Sequence, residues 1–94
     1  MPQQDKNVIL VVDDDLDVAE MISAYLSVHG YQVRSVDTGE AAVREAVLSP
    51  PDLVIQDINL PDIDGFEVAY RLRNNRKTKD IPIIFLTEKR ARSD

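Results

Sequence analysis

The sequence has no cysteine in its 94 residues. That excludes a disulfide framework, a thiolate metal site and a cysteine nucleophile, and it makes a reducing, cytoplasmic setting the expectation. Long apolar runs are missing too. The longest is Val8–Val12, far short of the roughly 20 residues a membrane-spanning helix needs. The opening stretch Met1-Pro2-Gln3-Gln4-Asp5-Lys6 has no apolar segment of signal-peptide length. Histidine occurs once, at position 29. It falls at a predicted helix end and is read as a helix-terminal residue, not a phosphate carrier.

Positive charge is scarce in the first three quarters of the chain. Residues 1–70 hold only Lys6, Arg34 and Arg44 against fourteen acids, a net of −11, whereas residues 71–94 carry a net of +5. The overall charge of −6 argues against general nucleic-acid binding. The basic segment lacks the interleaved aromatics of a single-strand binding surface, so it reads as a solvated helix face. Hydrophobic residues make up 44% and charged residues 30%. Those proportions fit one folded domain, with no repeat and no low-complexity linker.

Strand-like and helix-like segments alternate. Val8–Val12 is a continuous β-branched run of the kind that lies in a parallel sheet covered on both faces. A helix is predicted from about Leu16 to His29, stopped by Gly30. Tyr31–Val36 is polar at alternate positions and reads as an edge strand. Asp37-Thr38-Gly39-Glu40 resembles a capping box, with Asp37 three residues before Glu40, and opens a helix to about Leu48. Pro50-Pro51 ends it. A third strand begins at Leu53-Val54-Ile55 and runs into Asp57. Asp64 and Glu67 form a second capping pair for a helix over about 66–74. A fourth strand is predicted at Ile81–Thr87, with Pro82 near its start and apolar residues on both faces.

A β-α-β-α-β-α-β order implies right-handed crossovers and a doubly wound, mostly parallel α/β sheet with helices on both faces. The most apolar early strands should be central, which gives the spatial order 2-1-3-4. Ligands bind such sheets beyond the carboxyl ends of the strands, where the winding reverses between strands 1 and 3. Asp13 and Asp14 leave strand 1 there, and Asp57 ends strand 3. Three carboxylates so close repel one another unless a cation joins them. Mg²⁺ is a hard cation that takes oxygen ligands, keeps several waters and uses few carboxylates plus phosphate oxygens. The cluster therefore points to a Mg²⁺ site built to receive a phosphoryl group. Asp13–Asp15 could instead merely cap the first helix, but that leaves Asp57 unexplained. A calcium-binding EF-hand loop is excluded, because Val18 and Ala24 stand where Gly and Glu are required.

These residues together resemble the receiver domain of bacterial response regulators, the phosphoacceptor module of two-component systems. The resemblance runs from about Val8 to the end. It rests on the strand closing in Asp13-Asp14, on Asp57-Ile58-Asn59-Leu60-Pro61-Asp62-Ile63-Asp64-Gly65, and on the apolar strand closing in Thr87. It implies a flavodoxin-like fold and a cytoplasmic signalling module rather than an enzyme. It further implies that Asp57 accepts a phosphoryl group from a sensor histidine kinase or phosphotransfer protein. Asp13 or Asp14, with Asp57 and the backbone carbonyl of Asn59, would hold Mg²⁺. The Thr87 hydroxyl would bond to a phosphoryl oxygen in the active state. Pro61 and Gly65 would shape the loop.

The family has five βα units, and this sequence reads as residues 1–94 of one incomplete receiver domain. The expectation is that the fifth strand and last two helices are lacking. With them go the fifth-strand lysine, which Lys77, Lys79 and Lys89 do not match, and the fifth-strand aromatic. Glu88 follows Thr87 where the family usually has a small residue. Two alternatives stand beside the phosphoacceptor reading. One is a non-switching interaction module. The other is a haloacid-dehalogenase-type phosphatase, disfavoured because Asp17 occupies the position where that family carries Thr. No membrane contact is expected, nucleic acid would be reached only through an output domain, and the outer edge of strand 4 or the exposed apolar face beside it should favour a homodimer.

Overall fold

The computed structural model describes residues 7–86. Its elements are β1 (Val8–Val12), α1 (Leu16–Val28), β2 (Gln32–Val36), α2 (Gly39–Leu48), β3 (Leu53–Asp57), α3 (Gly65–Arg73) and β4 (Ile83–Leu86). The four strands form one parallel sheet in the order β2-β1-β3-β4, as the apolarity of the runs predicts.

Alternation along β1 feeds two cores. Leu10 and Val12 face α2 and α3, meeting Ala42, Ala46, Val68 and Leu72. Ile9 and Val11 face α1, meeting Ala19, Ile22 and Leu26. Two alanines one turn apart let α2 approach the sheet closely. Burying a side chain such as Leu10 or Leu72, both with no exposed surface, contributes about 1.5–3 kcal/mol. The surface ion pairs, such as Arg34–Glu45 at 3.2 Å, contribute about 1 kcal/mol at most, so burial decides the fold.

Local chemistry sets the helix ends. Asp15 caps α1 by accepting the N–H groups of Asp17 and Val18. At the other end Gly30 adopts φ +93°, and Tyr31 and Gly30 donate to the carbonyls of Leu26 and Ser27. That double bond pattern needs the left-handed conformation glycine supplies. His29 is the cap residue, its ring 4.5 Å from that of Tyr25, in line with the helix-terminal reading. The start of α2 differs from expectation. Thr38, not Asp37, is its cap and accepts the Ala41 N–H, which leaves Glu40 too early to close a box. At α3 Asp64 does accept the Glu67 N–H, but the Glu67 carboxylate turns away to Arg71.

Strand 4 buries its two faces unequally. Ile83 pairs with Val54 and packs on the core beneath α2 and α3. Ile84 pairs with Ile55 on the opposite face and is 50% exposed, α1 packing chiefly over β1 and β2. Thr87, with the rest of the predicted strand end, lies outside the described residues. Among the described residues no helix is long and apolar enough to cross a membrane.

Candidate functional site

The parallel sheet delivers the ends of β1 and β3 to the same place, where Val12 pairs with Gln56. Asp13 directly follows β1, and Asp57 is the last residue of β3. One carboxylate oxygen each from Asp13, Asp14 and Asp57 lie within 4.8 Å of one another. The three acids named from sequence are thus brought together. The run Asp13–Asp15 divides its labour: Asp15 caps α1, and the other two join Asp57.

Their environments differ. Asp13 is buried, at 4% exposure, and its carboxylate accepts the Asp15 N–H at 2.9 Å. Burial pushes the Asp13 carboxyl above its ordinary value, a single N–H bond opposes this, and the charges of Asp57 and Asp14 add to the rise. Asp14 is exposed and Asp57 half-buried. Asp57 accepts the Asn59 N–H at 3.3 Å, a local turn at the start of the following loop. An all-oxygen set with one desolvated carboxylate and two that reach solvent fits a hard divalent cation that retains waters.

The loop from Ile58 to Asp64 is held by contacts that sequence reading missed. The Gly65 N–H donates to the Ile58 carbonyl at 2.7 Å, and the side-chain amide of Gln56 donates to the Gly65 carbonyl at 2.7 Å. Gln56 has no exposed surface, and its Oε1 has no partner among the described residues. A Cβ on Gly65 would stand 2.5 Å from the Asp57 carbonyl oxygen, so only glycine permits this closure. Further along, Asp62 reaches across to α2, where its two carboxylate oxygens accept the Gly39 and Glu40 N–H groups, each at 2.8 Å. The polar Gln56 inside an apolar strand was a readable signal; the Asp62 contact had none.

A family model for the response regulator receiver domain matches residues 9–94. The chain belongs to that family, the receiver modules of two-component signalling. It is 40% identical over 79 residues to the DNA-binding dual master transcriptional regulator RpaA of Synechocystis sp., covering 84% of this chain and 33% of that protein. The chain therefore spans about a third of the length of this curated relative. Among solved structures it resembles the chemotaxis response regulator CheY4 of Vibrio cholerae, with a TM-score of 0.87, 31% identity, and 93% of this chain and 72% of that one covered. It also resembles the receiver domain of the sensor histidine kinase PA1611 from Pseudomonas aeruginosa, with a TM-score of 0.87, 32% identity, and 96% and 74% coverage. That structure holds a magnesium ion coordinated in the active-site cleft.

Proposed function

We propose that residues 1–94 act as one phosphoacceptor receiver unit in which Asp57 takes a phosphoryl group from a sensor histidine kinase or phosphotransfer protein. The observation that carries this reading is the convergence of Asp13, Asp14 and Asp57 within 4.8 Å in a chain of the receiver family. A carboxylate oxygen of Asp57 attacks phosphorus. An O–P bond forms, the P–N bond to the donor imidazole breaks, and that nitrogen keeps the electron pair and takes up a proton. Such transfers demand in-line positioning and charge neutralisation more than covalent help.

Asp13, Asp14, Asp57 and the Asn59 carbonyl would hold Mg²⁺, which when bound neutralises charge on the phosphoryl oxygens. Asp13 stays close to the nucleophile without caging the cation. Thr87, which lies outside the described residues, is the proposed hydroxyl donor to a phosphoryl oxygen, a step that would couple the new charge to the rest of the domain. Self-association through the outer edge of β4 and the open face at Ile84 belongs to the same reading, tested by sedimentation of wild type against Ile84→Lys.

The test is incubation with acetyl phosphate and Mg²⁺ followed by intact mass. Wild type gains one phosphoryl mass, labile to base, and Asp57→Asn gains none. Equal labelling of that variant overturns the assignment.

A further inference from the structure

The loop that follows Asp57 is tied into a closed circuit with two helix starts. Asp62 accepts the first two N–H groups of α2, and Asp64 accepts the Glu67 N–H of α3. Arg71 joins the two helices, 2.9 Å from the Glu67 carboxylate and 3.4 Å from that of Glu40. Gly39 is what lets the circuit close, since a Cβ there would stand 2.5 Å from Ile63 Cγ1. Leu60 and Ile63 pack against the main core. Asn59 sits between two fixed points: Ile58, bonded to Gly65, and Leu60, packed inward. Its own described tie runs to Asp57.

We propose that Asp62 is a positioning residue for the cation and phosphoryl site. By anchoring the loop to the start of α2, it fixes where Asn59 can stand relative to Asp57 and Asp13. This inference rests on the reading of that cluster as a Mg²⁺ site. Partners beyond the direct ligands orient those ligands, and their removal typically weakens metal binding about 10–100-fold. A cap that served helix stability alone would lower the melting temperature and leave cation affinity untouched.

The experiment titrates MgCl₂ into the apo chain by calorimetry, with a thermal melt of each variant. Asp62→Ala should weaken Mg²⁺ binding about tenfold. Asp62→Asn keeps one acceptor oxygen and should recover most of the affinity. Glu40→Gln breaks only the exposed ion pair to Arg71 and should stay within about twofold of wild type. If Asp62→Ala does not fold, Asp62→Asn carries the comparison, with a loss of about threefold expected. Unchanged Mg²⁺ affinity in a folded Asp62 variant overturns the inference, whatever happens to its melting temperature. Wild type that binds Mg²⁺ but takes no phosphoryl group from acetyl phosphate defeats the phosphoacceptor reading alone, and the affinity ratio still decides Asp62. Wild type that binds no Mg²⁺ defeats both.

Discussion

Asp62 and Gly39 lie 23 residues apart in sequence, yet one carboxylate oxygen of the first accepts the N–H of the second at 2.8 Å. With the Glu40 N–H on the other oxygen and the Ala41 N–H on Thr38, the first three N–H groups of α2 all have acceptors. Two come from a loop on the far side of β3. The start of α2 and the loop beyond Asp57 therefore form one structural unit.

This pairing carries a pH signature. The N–H groups of Glu40 and Gly39 favour the ionised form and hold the Asp62 carboxyl below its ordinary 3.8. Its contribution to stability is present above pH 3.8 and is lost as pH falls through the lower folded value. Wild type and Asp62→Asn should differ in melting temperature at pH 7, and the gap should close as pH falls well below 3.8. A gap that stays constant with pH removes the ionic bond from the account.

Asp13 should behave in the opposite sense. Its folded value is raised, chiefly by burial and further by Asp57 and Asp14, so its charge costs stability at neutral pH. That cost is relieved as pH falls through the raised value. Without Mg²⁺, Asp13→Asn should be more stable than wild type at pH 7, and no more stable in acid. Added Mg²⁺ should stabilise wild type more than the variant. Melting curves at both pH values with and without MgCl₂ check the ordering.

Gly65→Ala should be more damaging than Gly39→Ala. At Gly65 the new methyl meets the backbone oxygen of Asp57 at 2.5 Å, whereas at Gly39 the atoms it meets, Ile63 Cγ1 at 2.5 Å and Val68 Cγ2 at 3.0 Å, belong to side chains. A side chain can rotate, and a strand carbonyl cannot move without breaking the sheet. Urea unfolding should show a loss of about 1–3 kcal/mol for Gly65→Ala and less for Gly39→Ala.

Gln56→Glu probes the buried amide. At pH 7 a carboxylate there loses the donor to the Gly65 carbonyl and places charge in the core. Protonation restores an O–H donor. The variant should be strongly destabilised at pH 7 and recover part of the loss near pH 4, a recovery absent from Gln56→Leu.

The strand order and acid cluster were legible because both follow from position along a regular pattern. The run Val8–Val12 is apolar on both faces, so it is central; Gln32–Val36 alternates, so it lies at the edge. Asp13 and Asp57 close neighbouring strands, and a parallel sheet must bring them together. Contacts made between distant residues were not legible. Nothing near Asp62 says that it will cap α2, and nothing near Asp37 says that Thr38 will take the role instead.

The parallel arrangement has a consequence for how ions find the molecule. Every strand exits at one pole, where Asp13, Asp14, Asp57, Asp62 and Asp64 gather. The turn after α3 lies at the other, with Arg73, Arg76, Lys77 and Lys79. Among the described residues, the candidate site thus lies at the more acidic pole. Acidic groups clustered at one end attract cations and repel anions over a distance. Both effects fade as added salt shortens the screening length to about 8–10 Å, so the proposed cation binding should be a function of ionic strength.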